Sequence, residues 1–141
     1  MMVSVRGIVL AAGLAGCTGL GEPNLDLGDL PATVTLEVGQ RAIVSGTAVV
    51  FSAVTADSRC PIDVVCVWAG NAELEFVVGP TVGLGPAQLV KLNTYLEPRS
   101  AAAQGLTLSV DDLHPAPRSD RQTKGYRVQL RIERTPVEGS R

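Results

Sequence analysis

From Thr33 onward the hydrophobicity of this chain repeats every two residues, the period of a strand with one face covered and the other in water. Val34, Leu36 and Val38 alternate with Thr35 and Glu37; Leu74, Phe76 and Val78 with Glu73, Glu75 and Val77; Leu106, Leu108 and Val110 with Thr107 and Ser109. The cleanest run is the last, in which Tyr126, Val128, Leu130 and Ile132 alternate with Arg127, Gln129, Arg131 and Glu133. Less regular candidates are Arg41 to Ser45, Thr47 to Thr55, Val64 to Trp68 and Gln88 to Tyr95. Thr47 to Thr55 is apolar on both faces and suits a central strand, with Gly46 read as a bulge or bend within one long strand. Turn residues punctuate these runs at Gly39, Gly79 to Pro86, Pro98, Gly105 and Leu113 to Pro117. No window has a helical period, and Arg99 to Gln104 offers one short turn at most. Seven or eight short strands with connections too short for crossover helices predict an all-β fold, a single antiparallel β-sandwich of Ig-like kind, with a small barrel as the alternative.

The N-terminus has a different character. In MMVSVRGIVLAAGLAG the single charge of Arg6 precedes an apolar stretch from Gly7 to Leu14, the layout of an export signal and too short for a bilayer, which takes roughly 20 apolar residues. The following Leu14-Ala15-Gly16-Cys17 resembles the lipobox of bacterial lipoproteins, in which two small residues precede a cysteine that is acylated and becomes the mature N-terminus. The resemblance implies a signal peptide over 1–16, a lipid such as palmitate on Cys17, and anchoring without a transmembrane helix. A plain secretory signal with an unlipidated Cys17 is the competing reading. Thr18 occupies the position where inner-membrane retention is often signalled by Asp, so the expected address is the cell envelope, on the outer membrane facing the periplasm. Thr18 to Pro31 has turn formers without a period and reads as a flexible tether, which divides the chain into 17–31, lipidated Cys and tether, 32–135, sandwich, and 136–141, tail.

Cys17 to Arg141 is 125 residues, enough for one domain with a core. With 12 basic and 14 acidic residues the chain has no electrostatic case for nucleic acid. The charge is uneven, because residues 98–141 hold eight of the basic side chains, seven of them at or after Arg118. These either decorate the solvated face of the last strand or contact an anionic lipid or glycan.

Of the three cysteines, Cys60 and Cys66 remain once Cys17 is assigned to lipid, and an oxidising compartment predicts a disulfide between them. Zinc is disfavoured, since a site takes about four ligands and His114 is the only histidine. Asp26, Asp29, Asp57 and Asp63 match no calcium-loop spacing, so no metal or cofactor is expected.

The most distinctive segment is Asp57-Ser58-Arg59-Cys60-Pro61, four residues, then Cys66-Val67-Trp68-Ala69-Gly70-Asn71. It resembles a DSRCP-x4-C-x-W-x-G pattern of small uncharacterised bacterial envelope proteins, a likeness that implies export and a β fold and carries over no catalytic residue. On the structural reading, Trp68 packs against the disulfide from the same strand face, Asp57 and Arg59 pair locally, and Gly70 allows the turn into the next strand. On the functional reading, the clipped loop presents Asp57, Arg59, Trp68 and Asn71 as a recognition surface. Exposure of Trp68, and whether its ring lines a groove beside Arg59, decides between them.

No P-loop, dinucleotide fingerprint or HExxH motif is present. A Ser-His-Asp set would have to use His114, and Asp111 and Asp112 just before it are expected on opposite strand faces, forming no ready dyad. The expectation is a non-enzymatic, membrane-tethered binding module for an envelope protein or glycan; the alternative is a small exported hydrolase or an Ig-like protease inhibitor.

Overall fold

The computed structural model describes residues 24–81 and 85–137, so the expected export signal, the expected lipid site at Cys17 and residues 138–141 lie outside the described residues. Nine strands are present among them: β1 (Asn24–Asp26), β2 (Ala32–Glu37), β3 (Arg41–Val44), β4 (Thr47–Asp57), β5 (Ala72–Pro80), β6 (Gln88–Asn93), β7 (Ser100–Ala103), β8 (Leu106–His114) and β9 (Arg127–Arg134). They form two packed sheets, a five-stranded one in the order β1-β3-β4-β5-β6 and a four-stranded one in the order β2-β9-β8-β7. The fold is the all-β sandwich that the alternation predicts, because each strand can bury only one face and the two apolar faces cover each other.

The period of two maps directly onto burial. Val128, Leu130 and Ile132 of β9 are buried while Arg127, Gln129 and Arg131 face solvent, and β5 buries Ala72, Leu74, Phe76 and Val78. Phe51 and Phe76 are directly paired across β4 and β5 and stack with ring centroids 5.3 Å apart. Among the described residues no polar or charged residue is fully buried.

Several local expectations change. Gly46 is a turn between two strands, because Ser45 and Gly46 both have positive φ, 47° and 79°, as the tight hairpin joining β3 to β4 requires. Val64 to Trp68 is not a strand; the disulfide and Pro61 hold it in an irregular loop. Residues 99–104 contribute β7, which pairs with β8, instead of a helical turn. Within the segment 17–31 expected to be a flexible tether, β1 pairs in parallel with β3 and Leu27 and Leu30 pack against the core, while residues 17–23 lie outside the described residues.

Three bulges place the side chains that matter at one end of the sandwich. The pairing of β4 with β5 skips Ser52 and Thr55, so that Phe51, Val54 and Asp57 all lie on the core-facing side opposite Phe76, Leu74 and Ala72. In β8 the pairing skips Asp111, which keeps Leu113 inward opposite Val128 and turns both Asp112 and His114 outward.

Candidate functional site

The strand directions bring the 58–71, 94–99 and 115–126 loops to the same end, since β4, β6 and β8 all run toward it and β5, β7 and β9 run away. Asp57, on the same side of β4 as Phe51 and Val54, organises this end through its carboxylate. Arg59 grips it in bidentate fashion, Nε donating to Oδ1 at 2.9 Å and Nη2 to Oδ2 at 2.8 Å, and the Tyr126 hydroxyl donates to Oδ2 at 2.9 Å. The rest of the guanidinium donates to the carbonyls of Leu113 at 2.7 Å and Pro115 at 2.9 Å, tying the end of the first sheet to the exit of β8 in the second. Burial pushes the Asp57 carboxyl upward, but the hydrogen bonds from Arg59 and Tyr126 and the Arg59 charge outweigh it and hold the group below its ordinary value. Tyr126 is pushed up, first by burial and then by the carboxylate that its hydroxyl serves.

Asn71 is occupied in a similar way. Its Oδ1 accepts from the backbone N–H groups of Tyr95 and Leu96, and its Nδ2 donates to Asn93 Oδ1, so it positions the 94–99 loop. Three of the four recognition residues expected from the sequence, Asp57, Arg59 and Asn71, are therefore committed to internal bonds.

Trp68 behaves differently. It is 82% exposed instead of packing on the disulfide, and Arg59 is directed away from it toward β8. Its neighbours Val65 and Val67 are fully exposed at 102% and 105%, and Ile62, Val64, Tyr95 and Leu96 are exposed as well. Trp68, Tyr95 and Leu96 line a cleft of about 250 Å³ with Ser58, Gly70 and Asn71. Ser58 and Asn71 are already bonded, Ser58 Oγ donating to the Asn71 carbonyl at 2.9 Å, so the cleft surface is chiefly that of the Trp68 and Tyr95 rings and Leu96. The alternation of the sequence gives no sign of Val65, Val67, Tyr95 and Leu96 as a surface; the one available signal was an apolar run, VVCVW, on a loop that a disulfide keeps out of the sheets.

The loop itself is well fastened. Cys60 and Cys66 lie at disulfide distance, S–S 2.09 Å. Ser58 N donates to the Asn71 carbonyl at 2.7 Å, Cys60 N to that of Ala69 at 2.8 Å and Ile62 N to that of Pro117 at 3.0 Å. Asp63 accepts from the backbone N–H and hydroxyl of Ser119, which lower its pKa. Because much of this fastening is independent of sulfur, the Cys60→Ser, Cys66→Ser double variant is expected to fold and to lose about 2 kcal/mol, the loop-closure contribution of so short a ring. Urea denaturation with an unchanged slope measures it, and a loss near zero shows the bond to be dispensable.

Beside the apolar loop, Arg118, Arg121 and Lys124 line a second hollow of about 270 Å³ with Pro115, Ala116, Gln122 and Thr123. Asp120 sits between the two arginines, 3.2 Å from each. On the outer face of β8, Asp112 Oδ2 meets His114 Nε2 at 3.0 Å, so these two do form a pair. Residues two apart on a strand share a face, and the bulge at Asp111 makes the face of 112 and 114 the outer one. Among the described residues no group of three or more His, Cys, Asp or Glu side chains is placed to hold a metal ion, and no helix is long and apolar enough to cross a membrane.

No protein-family model, no curated protein and no solved structure matches the chain.

Proposed function

We propose that this chain is an envelope lipoprotein, anchored by lipid on Cys17, whose sandwich holds out the three-loop end as a non-catalytic contact surface. The observation that carries the reading is the exposure of Val65, Val67 and Trp68 on a loop that is fastened to both sheets. Leaving apolar side chains in water forgoes about 1.5 kcal/mol or more for each valine, a gain that a partner covering them recovers. A loop already held by backbone hydrogen bonds also loses little conformational entropy on binding, which favours contact over a role as mere connector. The bonded state of Asn71 and Ser58 and the run of exposed Val64, Val65 and Val67 support an apolar partner.

The anchor is tested by labelling cells with radioactive palmitate. The wild-type chain is expected to take up label and to fractionate with membranes, and Cys17→Ser to take up none and to remain unprocessed or be released. Equal labelling of both, or membrane attachment unaffected by the substitution, refutes the lipid on Cys17.

A further inference from the structure

We infer that the partner of the three-loop end is an anionic lipid bilayer, with the 62–68 loop seated at the headgroup boundary and the Arg118, Arg121 and Lys124 hollow receiving lipid phosphate. This rests on the contact surface proposed above and names what it contacts.

Three observations favour a bilayer. The first is composition by height: Ile62, Val64, Val65, Val67 and Trp68 are exposed together with Tyr95 and Leu96, and no charged side chain other than Asp63 lies among residues 60–68. Apolar residues with a tryptophan and a tyrosine are the side chains that settle at the interface between acyl chains and headgroups. The second is the hollow beside them, lined by three cations and touched by one carboxylate, Asp120, large enough at about 270 Å³ for a phosphate. Ile62 N donates to the Pro117 carbonyl and Asp63 accepts from Ser119, so the apolar loop and the segment that carries the cation-lined hollow are fastened side by side. A bilayer presents this pair of chemistries side by side, phosphate above hydrocarbon.

The third observation is reach. β1 runs parallel to β3 and antiparallel to β4, so Asn24 is the end of β1 nearer the three-loop end. Asn24 is level with Val50 through Arg41, and the bulged stretch from Val50 to Asp57 covers the height of five residues of β5, Val77 to Ala72, about 17 Å. The seven residues from Cys17 to Asn24 can span at most about 25 Å. A lipid on Cys17 thus lies within reach of the plane in which the loop end would sit.

The rim has little net charge, because Asp63 and Asp120 offset two of the three cations, so the apolar residues must supply most of the attraction. Each unit of net positive charge close to an anionic surface multiplies partitioning about fivefold.

Trp68 is the only tryptophan in the chain, so its emission reports the contact directly. The full chain carrying Cys17→Ser, which separates this question from the anchor, is mixed with vesicles of phosphatidylglycerol and phosphatidylethanolamine, and in parallel with vesicles of phosphatidylcholine. The expected result is a blue shift of Trp68 emission, quenched by brominated acyl chains, at about fivefold lower lipid concentration with the anionic vesicles. Val65→Asp with Val67→Asp is expected to abolish the shift while leaving the urea midpoint near that of the parent, and Arg121→Glu with Lys124→Glu to remove the anionic preference. Water-like emission with every vesicle overturns the inference. An equal response to both vesicle types overturns the assignment to anionic lipid. Should the emission stay water-like while a protein is captured from envelope extract through Val65 and Val67, the contact surface survives and its partner is a protein.

Discussion

Gly70→Ala is expected to lower stability by about 3 kcal/mol, the strain of a non-glycine residue in the left-handed region plus the cost of displacing backbone. Gly70 has φ of +71°, and a Cβ built there lies 1.9 Å from the carbonyl oxygen of Ser58 and 2.8 Å from Cα of Arg59. Both are backbone atoms of the strand exit that Arg59 and the Ser58–Asn71 hydrogen bonds hold in place, so they cannot step aside as a side-chain tip would. Gly105→Ala is the matched control. Its φ is +76°, yet nothing lies within 4 Å of its Cβ, so it carries the conformational strain alone, about 1 to 2 kcal/mol. Equal losses in urea denaturation for the two variants would show that the close approach at Ser58 is relieved at no cost.

Arg59→Ala is the second large effect. It removes two charge-assisted bonds to Asp57 and the bonds to the carbonyls of Leu113 and Pro115, and it leaves a largely covered carboxylate with Tyr126 as its remaining side-chain partner. Breaking such a pair from one side costs about 3 kcal/mol, at the lower end of the range for buried pairs because Asp57 and Arg59 keep 11% and 14% of their side-chain surface in water. A double-mutant cycle with Asp57→Ala should show strong coupling, the double variant losing less than the sum of the single ones. The same pair sets an acid limb. Because the folded-state pKa of Asp57 is lowered, its contribution is present in full above the ordinary value of 3.8 and is lost as pH falls through the lower folded value. Asp57→Asn should flatten the pH dependence below about 4. An unchanged acid limb in that variant removes Asp57 as its source.

The class of fold was legible because one covered face imposes a period of two, and the last strand displays it in four apolar residues, Tyr126, Val128, Leu130 and Ile132. The bulges were not. At Ser52, Thr55 and Asp111 one inserted residue shifts every later side chain to the other face, and only the partner strand reveals the insertion. In β8 that is why Leu113 is buried while Asp112 and His114 face water; in β4 the second insertion restores the parity that the first one broke, so that Val54 turns inward between Phe51 and Asp57. β1 and β7 escaped notice because three or four residues are too few to show a period. Of the expected recognition residues, Trp68 kept an open surface, while Asp57, Arg59 and Asn71 proved to be the fastenings behind it. Residue type alone cannot separate those roles, since the same polar groups can serve loop backbone or ligand. The lipidation expected at Cys17 stays a reading of the sequence.

The short parallel strand β1 gives the domain a mechanical order of failure. Any load drawn along the N-terminal segment meets the three-residue pairing of β1 with β3 and the Asn24–Arg41 side-chain bond before it reaches the core. The six-residue antiparallel register of β2 with β9, in the other sheet, is the next restraint along the chain. Tension should therefore peel β1 away first and lengthen the leash by several residues while the sandwich stays shut. The edge of β3 uncovered in that event is short, four residues beginning with the charged Arg41, a poor template for pairing with a neighbouring chain.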